Sequence, residues 1–309
     1  MKGSYTIHVD IDSPVVLADF YNIPLTYDRE MLETFYEKTF DRMLKTFDRH
    51  GIKATFFCVA SEVEGSLKIQ QVLKSAIQRG HFIANHTYSH PFGLSELPEE
   101  KIIAEIHNAT RILERDLQVK IFGFRTPGYA INTKVINILE QNGITYDSSA
   151  GWPIFHAIFK VLRFLGSKRM KVGYGETNSY FRKHIYAPAL NNWKKTARTP
   201  RKIKEYPLPS SFYILPCYSN LHLSFGLPFV KFLLNNTRRN KLMIYLMHAI
   251  EFTSVEDDFI PPGISVHPHM TMRIDRKLNK INRILEHINA GREKYSIEQQ
   301  LSGQLVYNK

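Results

Sequence analysis

Short apolar stretches alternate with longer amphipathic stretches along most of the chain. The stretch 29–51 places apolar residues such as Leu32, Phe35 and Phe47 at largely helical spacing and ends at Gly51, a common helix terminator. The pattern predicts strands at 4–12, 53–60, 81–86, 121–124, 144–149 and 241–248, and helices at 29–51, 64–79, 98–117, 133–143 and 273–290. Repeated strand and helix units predict an α/β fold, either barrel-like or doubly wound.

Composition narrows the class of protein. A chain of 309 residues with 43% hydrophobic residues can bury a core without disulfides or a structural metal. Cys58 and Cys217 are the only cysteines, which excludes a disulfide scaffold and favours a reducing compartment. No run of 18 uncharged apolar residues occurs, so we expect no transmembrane helix, and the start MKGSYTIHVDIDSP does not resemble a cleaved signal.

The net charge of +12 is concentrated in one segment. Residues 153–204 contain 13 Lys and Arg and one acidic residue, Glu176, so this segment carries +12 while the remaining 28 basic and 28 acidic residues cancel. Such a segment is typical of proteins that bind nucleic acid or an anionic membrane.

Ionisable side chains follow the predicted strands. In α/β folds the working residues gather at the carboxyl ends of the strands, so we expect these side chains to lie together. They are Asp10, Asp12, His86, His90, Arg125, Asp147 and His248.

Two pairs within this set indicate a metal site. Asp10 and Asp12 are two apart in a strand and point to one face, where their carboxylates repel unless a cation or a shared proton lies between them. His86 and His90 can present two imidazoles to one metal if the intervening residues form a helical turn. Two histidines and a carboxylate are a catalytic zinc set. Taken singly, each pair is also compatible with a turn cap or an ordinary surface or core histidine pair.

Five motifs carry a resemblance to a known family. HVDIDSP, NHTYSHP, FRTPGY, YDSSAGW and LMHAIEF occur in the order and approximate spacing of the polysaccharide deacetylase family, also called the NodB-homology or carbohydrate esterase 4 family. The resemblance covers about residues 4–150 and 205–290. It implies a distorted (β/α)-barrel, here as a single domain over residues 1–309 with a basic insertion at 153–204.

The resemblance implies a metal centre. Asp12, His86 and His90 would bind zinc or another divalent ion. The family more commonly has adjacent aspartates, whereas Ile11 separates the two here. The sequence is closer to a subgroup with Asp-x-Asp, and the ligand and base roles of Asp10 and Asp12 are open to exchange.

The resemblance also implies acid and base groups. Asp10 would be the general base, held in place and kept ionised by Arg125. His248 would be the general acid that protonates the departing amine, with Asp147 to orient it. The metal and a backbone N–H near Tyr129 would stabilise the tetrahedral oxyanion.

The basic segment suggests where the protein acts. Its opening, residues 153–166, reads as a short basic amphipathic helix that can lie in a membrane interface, with a core helix as the alternative. A second apolar stretch, residues 223–234, precedes further basic residues. Because Asp10 lies so near the first residue, we expect no removed leader and a cytoplasmic protein, peripheral on the inner face of the cytoplasmic membrane.

These expectations lead to one function. HAIEF at 248–252 is similar to the branch of the family that includes undecaprenyl-phosphate N-acetylgalactosamine deacetylase and the lipid-linked aminoarabinose deformylase. The predicted activity is N-deacetylation of a polyprenyl-phosphate N-acetylhexosamine, best matched by the acetylgalactosamine lipid. The predicted partners are this lipid-linked amino sugar and an anionic membrane, and not nucleic acid.

Two alternatives remain at this stage. One is a deacetylase of soluble or polymeric N-acetylated glycans, and the other is a catalytically silent module that binds glycan or nucleic acid. His267 and His269 resemble a further ligand pair, but the sequence supplies no obvious partners for them, so we expect them to be structural or to line the substrate cleft.

Overall fold

The computed structural model describes residues 3–25, 28–151, 184–212, 215–237 and 241–307. Strands in these ranges alternate with helices along the chain. The strands are β1 Ser4–Asp10, β2 Thr55–Cys58, β3 Phe82–Asn85, β4 Gly123–Phe124, β5 Tyr146–Asp147, β6 Pro188–Ala189, β7 Asn192–Thr196, β8 Lys204–Glu205, β9 Ser210–Ser211, β10 Leu215–Pro216, β11 Leu242–His248 and β12 Glu293–Lys294.

The helices lie between these strands and after them. They are α1 Pro14–Phe20, α2 Arg29–His50, α3 Ala60–Val63, α4 Leu67–Gln78, α5 Glu99–Leu117, α6 Thr133–Gln141, α7 Ser219–Leu223, α8 Leu227–Asn236, α9 Ile274–Gly291 and α10 Ile297–Tyr307. Single 3-10 turns cover Leu94–Glu96, Pro127–Tyr129, Ala249–Phe252 and Pro262–Val266.

The main sheet is parallel and curls into a half-barrel. Its strand order is β11-β1-β2-β3-β4-β5-β8, and β12 pairs with the start of β1. The pairs β6–β7 and β9–β10 are small antiparallel additions. Asp10 at the end of β1 pairs with His248 at the end of β11, so the first and last long strands deliver their ionisable ends side by side. This confirms the predicted α/β barrel-type fold.

The core has one layer on each face of the sheet. Neighbouring residues of β2 show the division: Phe56 packs into the cluster under the helices, while Phe57 packs into a second cluster inside the curl with Tyr146 and Leu246. Ile297, the first residue of α10, enters the same inner cluster. Strands covered on both faces must be apolar throughout, which explains the near-continuous apolar run of β11.

Capping residues set the helix ends that the sequence predicted. Asp28 caps the start of α2 by accepting from the Glu30 N–H, and Gly51 ends that helix with a φ of 57°. The helix predicted at 64–79 begins later, at Leu67. Ser66 caps it by accepting from the Ile69 N–H at 3.2 Å, which fixes the start of the helix after a turn.

The basic segment is described only in part. Residues 152–183 lie outside the described residues, and with them the amphipathic helix predicted at 153–166. The described remainder, 184–204, contains the hairpin of β6 and β7. In the described ranges of the chain, no helix is long and apolar enough to cross a membrane.

Gly123 provides a test of the packing between β4 and β5. A Cβ at Gly123 would overlap the Tyr146 ring, whereas a Cβ at Gly303 in α10 meets nothing within 4 Å. We expect Gly123→Ala to lower the free energy of unfolding by about 1–3 kcal/mol. The control, Gly303→Ala, should leave it unchanged or raise it by about 0.5–1 kcal/mol. Denaturant unfolding of both variants measures this, and equal effects would contradict the packing.

Candidate active site

The loops that follow the parallel strands enclose a cleft of about 320 Å³. Its polar floor is built from residues after β1, β3 and β11, and its wall is largely apolar. The floor contains Asp10, Asp12, His86, His90 and His248, and the wall contains Val16, Leu17, Phe20 and Phe92. The carboxyl ends of the strands therefore meet as the sequence predicted.

Asp12, His86 and His90 form the group within the described residues that could hold a metal. Asp12 Oδ1 lies 3.5 Å from His86 Nε2 and 3.4 Å from His90 Nε2. Metal bonds of about 2.0–2.1 Å in a tetrahedral site place donor atoms about 3.3 Å apart. The two distances from Asp12 thus match the spacing in a zinc-sized site, and all three donors lie within 4.8 Å of one another.

The protonation of the three donors suits a cation. Burial raises the pKa of Asp12, but its close contacts with His86 and His90 outweigh burial and hold that pKa well below its usual range. Burial lowers the pKa of His90, which favours the neutral ring. His86 Nδ1 lies 2.8 Å from the Arg125 carbonyl oxygen, so Nδ1 carries the proton and Nε2 keeps its lone pair for a ligand.

The connection between β1 and α1 fixes Asp12. Ser13 caps α1 by accepting from the N–H groups of Val15 and Val16 at 3.2 and 3.3 Å, so the residue before it is held where the strand ends. Ser13 also donates to the buried Glu62 carboxylate at 2.6 Å. The Ser13 cap thus fixes the backbone next to Asp12 and holds this residue between β1 and α1.

His86 and His90 converge without the helical turn that the sequence analysis assumed. Thr87 and His90 have left-handed φ values of 70° and 58°, and the segment is an irregular turn. The Asn85 side chain accepts from the Thr87 N–H at 2.7 Å, and the Thr87 hydroxyl accepts from the His90 N–H at 3.1 Å. Pro91 disfavours a right-handed helical conformation at His90, which explains the difference.

Asp10 makes a buried ion pair with Arg125. Arg125 Nη1 donates to Asp10 Oδ1 at 2.6 Å, and both side chains are almost completely buried. The Tyr129 hydroxyl lies 3.4 Å from Asp10 Oδ2, and burial raises the pKa of this phenol well above its usual range, so it stays a donor. The Tyr129 N–H donates to the Thr126 carbonyl oxygen at 3.1 Å and is therefore engaged within its own turn.

His248 faces three carboxylates. Its Nε2 lies 3.8 Å from Asp10 Oδ2 and 3.6 Å from Asp12 Oδ2, and its Nδ1 lies 3.8 Å from Glu251 Oε1. Burial opposes a charged ring, but Glu251 together with Asp12 and Asp10 outweighs it and raises the pKa of His248 to about 9. His248 is therefore placed to donate a proton into the cleft.

Asp147 does not orient His248, which corrects the sequence-based expectation. Its strand, β5, is separated from β11 by four strands of the main sheet. Asp147 instead accepts from the Ser149 hydroxyl at 2.6 Å and forms a buried carboxyl pair with Glu205. Burial and the Asp147 charge raise the pKa of Glu205 well above its usual range, so the pair holds a proton. Asp147 thus stabilises the turn after β5.

His267 and His269 do not form a second metal group in the described part of the chain. His267 lines the cleft, with Nδ1 3.1 Å from the Tyr21 hydroxyl and Nε2 3.3 Å from Asn220 Nδ2. His269 Nε2 lies 2.9 Å from the Asn220 carbonyl oxygen. These positions agree with the predicted structural and cleft-lining roles.

Sequence reasoning missed Glu251 and the apolar wall of the cleft. Glu251 stands three residues after His248, and this His-x-x-Glu spacing was the available signal. The wall residues Phe20 and Phe92 come from α1 and from the turn after His90, and their rings are 5.2 Å apart. The spacing of apolar residues along the chain does not distinguish residues that line the cleft from residues of the core.

Glu251 gives a test of the electrostatics. In the metal-free protein, Glu251→Gln removes a negative charge beside His248 and should lower the pKa of this histidine by roughly one unit. Asp147→Asn, the comparison variant, should leave that pKa unchanged. NMR titration of the His248 ring signals measures both, and a larger shift with Asp147→Asn would contradict the assignment.

Part of the chain is similar in sequence to known proteins. Residues 21–146 match the family model described as polysaccharide deacetylase, a range that includes His86, His90 and Arg125. Chitin deacetylase 1 of Cryptococcus neoformans is 37% identical over 95 residues, which are 31% of this chain and 19% of that protein. The peptidoglycan-N-acetylglucosamine deacetylase of Bacillus cereus is 33% identical over 93 residues, 30% of this chain and 31% of that protein.

These matches span less than a third of each relative, so they concern the shared domain. A crystal structure from Mycobacterium smegmatis, assigned to the polysaccharide deacetylases, has a TM-score of 0.60 and 14% identity, and the match covers 100% of this chain and 92% of that one. This likeness shows the fold. Residues 21–146 are thus similar to the polysaccharide deacetylase family, and the chain shares its fold with the Mycobacterium smegmatis protein.

Proposed function

We propose that the protein is a divalent-metal-dependent N-deacetylase that hydrolyses the acetamide of an amino sugar. The observation that carries the proposal is the donor group of Asp12, His86 and His90, with the Asp10–Arg125 pair and His248 beside it. Deacetylases among the relatives support the reaction class.

The residues around the donor group have distinct tasks. A divalent cation held by Asp12, His86 and His90 supplies a Lewis acid for water and for the amide carbonyl. Asp10 accepts a proton from the attacking water. Arg125 holds the Asp10 carboxylate in place, with Nη1 2.6 Å from Oδ1. The roles follow from contacts: Asp12 faces both histidines, while Asp10 faces the guanidinium.

The departing amine needs a proton. His248 provides it, because its ring faces the cleft between the Asp10 and Glu251 carboxylates, and in the metal-free protein the surrounding carboxylates raise its pKa to about 9. Glu251 Oε2 accepts from the Ser219 hydroxyl, which fixes the carboxylate behind His248. The proposed base and acid stand side by side at the floor of the cleft, with His248 Nε2 3.8 Å from Asp10 Oδ2.

For the substrate, we propose a lipid-linked amino sugar, with polyprenyl-phosphate N-acetylgalactosamine as the best candidate. The apolar wall of the cleft and the basic segment at 153–204 support this choice. Polymeric N-acetylglucosamine glycans are the second candidate, supported by the names of the chitin and peptidoglycan deacetylases among the relatives.

An exposed aromatic surface supports a membrane location. Phe212, Phe229 and Phe232 are 46%, 42% and 52% exposed, and they lie ring to ring, with centroids 5.4 Å apart for Phe212 and Phe232 and 6.2 Å apart for Phe229 and Phe232. Phe225 extends the row, 5.1 Å from Phe229. We call these four residues the phenylalanine surface.

The chain segment that contains the phenylalanine surface carries only basic Lys and Arg side chains and no acidic ones. Residues 206–250 contain no Asp or Glu, and their basic residues are Lys231, Arg238, Arg239 and Lys241. Exposed aromatic side chains within an acid-free basic segment complement an anionic membrane surface. We propose peripheral docking at the inner face of the cytoplasmic membrane, without a nucleic-acid partner.

The metal centre generates the first prediction of this proposal. Asp12→Asn and His90→Ala should each abolish tight zinc binding and lower deacetylation by about a hundredfold or more, because each removes one of three protein ligands. His107→Ala, an exposed histidine on α5, is the control and should change neither. Metal analysis after dialysis and product detection measure the two effects, and full activity in Asp12→Asn would overturn the proposal.

The substrate is tested by mass spectrometry of polyprenyl-phosphate N-acetylhexosamines and, in parallel, chitin oligomers, with His86→Ala as the inactive control. Loss of one acetyl group from the lipid substrate is expected. Reaction with the oligomers alone would keep the deacetylase and contradict the lipid-linked substrate.

The phenylalanine surface is tested by vesicle sedimentation. Phe229→Ser with Phe232→Ser should weaken binding to phosphatidylglycerol vesicles by about tenfold or more, since two aromatic side chains lose their burial in lipid. The matched control carries Leu67→Ser and Ile103→Ser, two exposed apolar residues on α4 and α5. Wild-type binding should decrease with salt and be weak on phosphatidylcholine alone. Equal losses in both double variants would refute this docking surface.

A further inference from the structure

His8 is a buried histidine beneath the proposed base. It stands two residues before Asp10 on β1, so the two side chains share one face of the strand and point into the curl of the sheet. The ring is completely buried, with its centroid 5.0 Å from Phe57 and 6.4 Å from Tyr146. Apolar neighbours of this kind would accommodate a leucine or phenylalanine.

The contact with Arg125 defines the state of the ring. Arg125 Nη2 lies 2.8 Å from His8 Nδ1. A guanidinium only donates, so Nδ1 accepts and the proton of the neutral ring is on Nε2. Burial, followed by the Arg125 charge, lowers the pKa of His8 well below its usual value, which agrees with a neutral ring.

The other ring nitrogen, Nε2, makes a histidine at position 8 unfavourable for the stability of the fold. His8 Nε2 is buried and has no hydrogen-bond partner among the described residues. A buried N–H without an acceptor destabilises a fold, and an apolar side chain here would avoid that loss. The feature that an apolar side chain could not supply is the Nδ1 acceptor for Arg125.

Arg125 is held from several directions. Its Nε donates to the Ser148 carbonyl oxygen at 2.8 Å, its Nη2 donates to the Ser148 hydroxyl at 2.9 Å, and its guanidinium lies 4.2 Å above the Phe57 ring. With His8 as the further acceptor on Nη2, Nη1 is left to point at Asp10. A carboxylate in place of His8 would form a second ion pair and compete for the same cation.

We propose that His8 is a positioning residue for the deacetylation reaction: its neutral Nδ1 accepts from Arg125 and thereby aims the guanidinium at Asp10. His8 touches neither the cleft nor the reacting atoms, so it acts through Arg125 alone. The turnover part of the proposal depends on the deacetylase activity proposed above, whereas the contact itself does not.

A matched pair of variants tests the acceptor. Asparagine at position 8 keeps an acceptor oxygen near the position of Nδ1. Leucine has nearly the same shape as asparagine but no acceptor atom. We expect His8→Leu to lower kcat between about 10- and 100-fold with KM within about threefold of wild type, and His8→Asn to recover kcat to within about fivefold. The Tm values of the two variants should agree within about 3 °C. Equal kcat in the two variants would overturn the proposal.

Two readouts do not depend on turnover. Crystal structures should retain the Arg125–Asp10 contact in His8→Asn and lose it in His8→Leu, and retention in both would refute the positioning role. In the wild-type protein at pH 7, ¹⁵N NMR should show neutral His8 with its proton on Nε2, and a charged ring would also refute it. If wild type deacetylates no glycan, the proposed function fails, and these two measurements alone decide the role of His8.

Discussion

The repulsion between two carboxylates at the end of β1 is the constraint on which the site depends. Asp10 and Asp12 stand two residues apart, largely shielded from water, so each needs positive charge nearby. Arg125 neutralises Asp10 at 2.6 Å, and Asp12 faces His86 and His90 at distances that match the donors of one divalent ion. This division of partners supports the proposed roles of Asp10 as base and Asp12 as ligand, which the sequence left open.

The parallel sheet brings the ionisable side chains of the site together at the carboxyl ends of its strands. Several of their polar atoms lower the stability of the fold there. In the part of the chain that the structure describes, buried polar atoms without a hydrogen-bond partner include His8 Nε2, Asp12 Oδ1, His90 Nδ1, His248 Nδ1 and Glu251 Oε1, all in or beside the cleft. Such atoms are rare in folded proteins because each destabilises the fold. Asp12, His90 and His248 line the cleft, so part of this loss falls on residues that can bind a ligand or transfer a proton.

Much of the fold and the metal donors could be predicted from the sequence because their signals are local. Apolar periodicity identified the strands β1 to β5 and β11 and the helices α2, α4, α5, α6 and α9. The other elements were not predicted; most are short, and Ser302 and Gly303 interrupt the pattern of α10. The partners of His248 and Asp147 depend on strand order, which periodicity does not contain: β11 lies beside β1, and β5 lies beside β8. Residue spacing correctly joined His86 to His90, yet it suggested a helical turn where the chain uses left-handed residues.

The proposed mechanism requires that Asp12, His86 and His90 bind a divalent cation while Asp10 and His248 remain outside its ligand set. A crystal structure of the zinc-loaded protein, with the metal located by anomalous scattering, tests this most directly. The account predicts one ion, about 2.0–2.1 Å from an Asp12 oxygen and from Nε2 of both histidines, with Asp10 still paired to Arg125. An ion bound by Asp10 in place of Asp12, or no ion at these three residues, would contradict it.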